Sequence, residues 1–226
     1  MLEQLLARAR AFEDSGAEPV PPRLSATVVL LRPAAAGGIE VYLQRRAASM
    51  AFASGMYAFP GGTVDPADFA GEPLPPEWAG RLGRPEPEAW AVVRAAVREV
   101  AEETGVRLTA AELVPWSRWI TPVFEPRRYD TSFFVAALPA GQQPADVSGE
   151  ADRTLWLPPA VAVGQCEAGE IVMLPPTLET LRGLTGCESV PAALAAAADR
   201  DAATPIAPYV EWQADGTGRL VIDRRS

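Results

Sequence analysis

The chain opens with apolar side chains at helical spacing. Leu2, Leu5, Leu6 and Ala9 share one side of a segment whose other positions carry acids and bases. This predicts a short amphipathic helix over residues 1–13, after which Pro19, Pro21 and Pro22 forbid its continuation. Ser25–Arg32 is a β-branched and apolar run, and Ile39–Arg46 alternates apolar with polar; joined by a Gly-containing turn, the two predict a hairpin. A short strand at Tyr57–Phe59 runs into Pro60-Gly61-Gly62. Asp65–Pro87 is rich in proline, glycine and acids and reads as a surface insertion. A helical pattern resumes over Glu88–Thr104, with Gly105 just past its end, where a left-handed cap is favoured. Leu113–Pro122, Asp130–Leu138 and Thr154–Leu157 predict strands. Pro158-Pro159 opens a helical turn, and Pro175–Leu184 predicts a helix with proline in its first turn. Near the end, Ala192–Ala198 predicts a solvated alanine-rich helix, and Tyr209–Gln213 with Arg219–Ile222 a hairpin across Ala-Asp-Gly-Thr-Gly. Strands and helices mixed in this way predict an α/β (α+β) fold.

Composition narrows what such a fold does. With 226 residues, 48% apolar and 22% charged, the chain suits one medium domain with short extensions. No apolar run approaches the roughly 18 residues of a membrane span. The first residues lack the basic start, apolar centre and small-residue cleavage site of a signal peptide, so a cytoplasmic location is expected. A formal charge of -9 argues against nucleic acid as a partner, because a phosphate backbone wants a basic surface. A small phosphorylated ligand stays open, since divalent cations supply positive charge locally. Cys166 and Cys187 lack metal-ligand spacing and read as reduced, partly buried thiols. The chain has no histidine, which removes His-Zn sites, Ser-His-Asp triads and imidazole acid–base chemistry together. Carboxylates are left as the acid–base groups and metal ligands.

The carboxylates that stand out are Glu99, Glu102 and Glu103. On a helix, positions i, i+3 and i+4 share a face, so the three project together and repel one another. An acidic solvated face is the plain alternative. The context favours chemistry: a Gly-Gly loop follows a strand upstream, and arginines lie on the same helix. Magnesium and manganese take carboxylate oxygens while keeping several waters. Held there, such ions neutralise a diphosphate and activate water for displacement at phosphorus. Arg98, one position before the cluster and four before Glu102, is placed to orient a carboxylate.

The segment Arg98-Glu99-Val100-Ala101-Glu102-Glu103-Thr104-Gly105-Val106 matches in full the second half of the Nudix box, G-x5-E-x7-R-E-U-x-E-E-x-G-U, where U is aliphatic. Together with Phe59-Pro60-Gly61-Gly62 it identifies a chain that resembles the Nudix hydrolases over roughly residues 25–185. The resemblance implies an α/β/α sandwich with a mixed sheet, in which a loop–helix–loop presents the metal site. It implies a diphosphatase dependent on Mg2+ or Mn2+. Glu99, Glu102 and Glu103 then hold the metal, Arg98 orients the cluster, and the Gly61-Gly62 loop lets the backbone approach the phosphates. The chain divides accordingly into an N-terminal helix and linker (1–24), the Nudix domain (25–185) and a C-terminal extension (186–226).

One departure matters. The first glutamate of the box should stand eight residues before the arginine, where the chain has Trp90; counting forward from Gly62 reaches Asp68. An insertion over about 69–89 accounts for both counts and leaves Asp68, Glu86 or Glu88 to replace that glutamate, whose family role is to support the arginine. A box split after Phe-Pro-Gly-Gly resembles the coenzyme A diphosphatase branch. So do Leu43-Gln44-Arg45-Arg46, Trp119-Ile120-Thr121-Pro122 and Trp156-Leu157-Pro158-Pro159. The coenzyme A signature itself is half met: Arg46 and Gly55 fit, while Ala47 and Ala51 replace a serine and an arginine.

Four further assignments follow. Arg46, Arg127 and Arg128 are candidate substrate-binding cations, the last two in a proline-bounded loop. Glu150, six residues before Trp156, is a candidate metal ligand or base, by resemblance to the Nudix glutamate that precedes such a tryptophan. Trp116, Trp119 and Phe124 are expected in the core, with stacking on adenine the alternative. A homodimer is allowed, with the C-terminal hairpin a candidate contact. The expected reaction is hydrolysis of a nucleoside diphosphate derivative, coenzyme A or its acyl esters first, then ADP-ribose or an NADH-like dinucleotide. The competing function is a Nudix-fold regulatory module that binds a nucleotide without turnover.

Overall fold

The structure is a computed structural model that describes residues 2–47 and 54–222. In chain order the elements are α1 (Leu2–Ser15), β1 (Arg23–Pro33), β2 (Ile39–Arg46), β3 (Tyr57–Ala58), β4 (Gly61–Thr63), α2 (Glu77–Leu82), α3 (Glu86–Thr104) and β5 (Val114–Ile120). They continue with β6 (Tyr129–Ala137), β7 (Ala151–Leu157), α4 (Pro159–Glu167), α5 (Pro175–Leu184), α6 (Val190–Ala198), β8 (Pro205–Ile206), β9 (Tyr209–Trp212) and β10 (Gly218–Val221). Single 3-10 turns at Pro66–Phe69 and Ala110–Glu112 precede α2 and β5.

Strand β1 is the centre of a mixed sheet ordered β3-β2-β1-β6-β5-β8, with β4 also on β1 and β7 also on β2. It pairs antiparallel with β2 and parallel with β6. Its side chains alternate between two cores. Val29 and Leu31 join Phe133, Val135, Leu181 and Leu184 on one face; Ala26, Val28 and Leu30 join Val92, Ala96, Val100 and Phe134 on the other. A strand covered on both faces must be apolar throughout, which is why Ser25–Arg32 lacks polar alternation. Helix α3 covers the second face, and α4, α5 and α6 add their apolar side chains to the first. This is the α/β/α sandwich expected.

The predicted elements appear with shifts of up to three residues at their ends, the largest at the start of β7, and Gly105 ends α3 with φ 73° as a left-handed cap. Two expectations are corrected. Residues 65–87 are not simply a surface loop: α2 buries Trp78 and Leu82, with Trp78 edge-on to Phe134. Arg84 is buried in an ion-pair network in which the Asp130 carboxylate lies 2.7 Å from Arg84 and 2.7 Å from Arg118. The alanine-rich helix α6 is not simply solvated either, because Val190, Ala193 and Ala197 are core residues. Small side chains let it approach the sheet closely, a use that composition does not disclose. β4 and β8 were not anticipated; two or three residues are too few to show a period.

The C-terminal hairpin β9–β10 lies against α1. Arg10 stacks on the Trp212 ring at 3.7 Å, and the Trp212 indole N–H donates to Glu13 Oε1 at 2.8 Å. Its Trp212 ring is thus engaged by α1 within the chain. Among the described residues no helix is long and apolar enough to cross a membrane. Cys166 and Cys187 are free and partly buried.

Candidate active site

Gly61 and Gly62, expected in a loop, instead open β4 and pair with Thr27 and Ala26 of β1; where β4 meets α3 they bring backbone against side chain. A Cβ on Gly62 would lie 2.6 Å from Glu99 Oε2, and one on Gly61 would lie 2.7 Å from Thr27 Cα in β1. A Cβ at Gly61 would meet the backbone of β1, which cannot give way, whereas one at Gly62 would displace the Glu99 carboxylate. The Gly61 N–H donates to Glu103 Oε2 at 3.1 Å, and the side chain of Gln44, from β2, donates to the same oxygen.

Beside this contact is a cleft of about 330 Å3. Its acidic wall is Glu99, Glu103 and Glu150; Arg46 is the cation on it, and Ser25, Thr27, Thr131 and Thr177 supply hydroxyls. Tyr57 and Tyr129 also line it. Glu150 arrives on a loop fixed at two points. Upstream, the Ala145 and Val147 N–H groups donate to the carbonyls of Thr104 and Glu103, satisfying acceptors that the end of α3 leaves free. Downstream, the Glu150 carbonyl accepts from the Ala47 N–H at 2.8 Å. Just there the β2–β7 register shifts between Arg45 and Arg46, an irregularity of the kind that re-aims side chains beside a cleft.

Arg98 is the hub behind the acids. It donates to Asp68 through Nε at 3.1 Å and Nη2 at 2.8 Å, to the Thr63 carbonyl at 3.0 Å, to Glu99 Oε1 at 2.8 Å and to Glu102 Oε2 at 3.0 Å. Asp68, 5% exposed, is thus the carboxylate that supports the arginine; neither Glu86 nor Glu88 takes that place. The Asp68 carbonyl in turn accepts from Arg94, also on α3. Burial pushes the Glu103 carboxyl up to about 7, against its hydrogen bonds from Gly61 and Gln44, with Glu99 and Glu150 adding repulsion. The Glu99 carboxyl is raised too, by burial first, with Arg98 opposing.

The expected residues do not all converge. Glu99, Glu103, Glu150, Arg46, Gly61 and Gly62 meet at the cleft. Glu102 has a side chain 59% exposed and bonded to Arg98, so it stands at the rim rather than beside Glu103. Arg128 donates to the carbonyls of Thr121 and Val20, at 3.1 and 2.7 Å, and Arg127 is exposed. Neither lines the cleft: the Arg128 guanidinium ties the turn before β6 to the chain ahead of β1. Trp116, Trp119 and Phe124 are buried, as expected for core. Ala51 lies outside the described residues. Sequence reasoning gave Gln44 no role, although an amide after Ile39–Leu43 on a buried strand was a visible signal.

A buried carboxylate, Glu103, and a half-buried one, Glu99, both with raised proton affinity and both lining a cleft with a third acid, Glu150, are a hard-oxygen donor set that suits a divalent cation. Among the described residues no three acidic side chains converge closely enough to hold a metal ion by themselves. An open set of this kind fits magnesium or manganese, which keep waters and take remaining ligands from a phosphate.

The model of the NUDIX domain matches residues 21–175, more than half of the 226. The chain belongs to the NUDIX family. As a Nudix hydrolase it is similar to the NUDIX hydrolase of Alicyclobacillus acidocaldarius, at 27% identity over 78% of this chain and 96% of that one, with a TM-score of 0.64. Weaker likenesses include a MutT NUDIX hydrolase from Burkholderia pseudomallei (18% identity, 72% and 98% covered, TM-score 0.47). Another is the NUDIX domain of Shewanella oneidensis NrtR complexed with ADP ribose (16% identity, 76% and 96% covered, TM-score 0.49). No curated protein matches the chain.

Proposed function

We propose that this Nudix hydrolase cleaves the diphosphate linkage of a nucleoside diphosphate derivative, with Mg2+ or Mn2+ as cofactor. The supporting observation is the charge of the cleft: among the described residues that line it, Glu99, Glu103 and Glu150 stand against Arg46. A diphosphate is repelled from such a wall until cations enter it. Glu99 and Glu103 are the ligands on α3, with Glu150 facing them and Glu102 joining from the rim. When bound, a divalent ion neutralises the diphosphate and makes a water a better nucleophile.

The chain's own residues do the rest. Arg98, supported by Asp68 in place of the box's first glutamate, holds Glu99 and Glu102. Gly61 and Gly62 keep the phosphate side free of side chains, and Arg46 orients the anion. Glu150 accepts the proton of the attacking water, and the products are two phosphate monoesters.

Coenzyme A and its acyl esters are the first candidates, from the split box (an insertion over 69–89) and the matches at Arg46 and Gly55. ADP-ribose and NADH-like dinucleotides come next. A cytoplasmic setting and small-molecule partners complete the reading.

The test is a phosphate-release screen with either metal, coupled to a phosphatase, on coenzyme A, acetyl-coenzyme A, ADP-ribose, NADH and diadenosine polyphosphates. Cleavage of coenzyme A that Glu103→Gln abolishes supports both mechanism and substrate. Cleavage of another compound keeps the mechanism and discards coenzyme A. Silence from folded protein across the panel overturns the proposal.

A further inference from the structure

Gln44 is an amide in a place where an aliphatic side chain would be expected. It sits on β2 between β3 and β7, with Ala58 and Thr154 as its cross-strand partners. It is 3% exposed, and two positions earlier on the same face Tyr42 packs into the core beneath α3. Burying a primary amide is costly unless its hydrogen bonds are met, and here only half are. Nε2 donates to Glu103 Oε2, while Oε1 has no partner among the described residues. With Glu103 ionised, as a metal ligand must be, the orientation of the amide follows, because Oε1 turned toward it would set oxygen against oxygen.

The two donors on Glu103 converge on one atom. Gln44 Nε2 comes from β2 and the Gly61 N–H from β4, and both bind Oε2. Held from two directions, the carboxylate of this cleft-lining residue is restrained in its rotation, and Oε1 is the oxygen that these two donors do not engage. For stability alone, an aliphatic side chain at position 44 would avoid the unmet Oε1.

We infer that Gln44 is a positioning residue that fixes the rotamer of Glu103 so that one carboxylate oxygen is reserved for the divalent cation. The inference rests on the reading above, in which Glu103 is a metal ligand. It places a determinant of metal affinity on the sheet, outside the helix that carries the acidic cluster. Ligands whose outer hydrogen bonds are removed commonly lose about ten- to a hundredfold in metal affinity.

The experiment is a Mn2+ titration of the metal-free full chain, following free Mn2+ by electron paramagnetic resonance, for the wild type, Gln44→Met, Gln44→Asn and Glu103→Gln. Methionine keeps the length and volume of the side chain without its donor; asparagine keeps the amide but falls one methylene short. Both variants are expected to bind Mn2+ at least about tenfold more weakly than wild type, with Gln44→Met melting no lower. In steady state, kcat should fall with KM little changed. If the methionine variant does not fold, the asparagine variant gives the same reading. Wild-type affinity in either folded variant overturns the inference and leaves the metal reading standing. A wild type that binds no Mn2+, or binds it equally well as Glu103→Gln, removes the metal reading itself and the inference with it.

Discussion

Asp68 and Arg98 form a two-pronged ion pair, Oδ1 to Nε at 3.1 Å and Oδ2 to Nη2 at 2.8 Å, across thirty positions of chain. The pair fastens the 3-10 turn that follows β4 to the helix that carries the acids. Asp68→Ala leaves Arg98 with Thr63, Glu99 and Glu102 but without its most buried partner. Loss of one member of a buried pair costs about 3–5 kcal/mol, and the remaining partners and partial exposure of Arg98 reduce this to roughly 2 kcal/mol. Urea unfolding should show that loss, and turnover should fall by about tenfold or more as Glu99 and Glu102 lose their orientation. Unchanged turnover in folded Asp68→Ala would refute the supporting role.

Glu103 makes metal-free stability depend on pH. Its folded value of about 7 lies above the ordinary 4.5, so the folded state holds a proton that the unfolded chain has already released. Stability must then fall as pH rises from about 5 to 7.5, because in that window the folded protein binds more protons than the unfolded one. The raised Glu99 carboxyl acts in the same direction. With no histidine in the chain, no imidazole titrates in that window. Melting with EDTA at pH 5.5 and pH 8 should give the lower midpoint at pH 8, and Glu103→Gln should flatten the difference. A wild-type midpoint that rises with pH contradicts this.

Gly62→Ala tests the close approach. The added methyl would meet the Glu99 carboxylate, which must then move, so activity should drop by about a hundredfold while the circular dichroism spectrum stays native. An alanine variant with wild-type kcat would show that Glu99 has room to spare.

The network of Arg84, Asp130 and Arg118 predicts a stability effect apart from the cleft wall. Arg84 has no exposed side-chain surface, and Asp130, whose carboxyl is held below its usual range by the two guanidinium groups, is its ionic partner. Asp130→Ala leaves the buried Arg84 beside the half-buried Arg118 with no carboxylate between them and should cost about 3–5 kcal/mol in urea unfolding. A loss below about 1 kcal/mol would mean that water reaches Arg84 in the folded state.

Much of the site was legible in the chain. Glu99, Glu102 and Glu103 fall on one helical face by spacing alone, and the capping Gly105 confirms where that helix stops. Gly61 and Gly62 announce a place where backbone meets something closely. Arg127 and Arg128 show the limit: a pair of arginines near prolines has the same appearance whether it grips a ligand or, as Arg128 does, the carbonyls of its own fold. Asp68 was one of three candidates for the missing glutamate, because 30 residues of intervening chain leave the distance to Arg98 undetermined.

The sequence by itself determined the elements and the chemistry on offer. Local rules of period, capping and turn residues act over a few positions, and the absence of histidine left carboxylates to do the work. Only the tertiary structure decided which carboxylates face one another, that Glu102 stands at the rim, and that Gln44 reaches Glu103 across 59 positions. Those are contacts between a strand, a loop and a helix. Their geometry is set by how β1, β2 and α3 pack, and no pattern within any one of them encodes it.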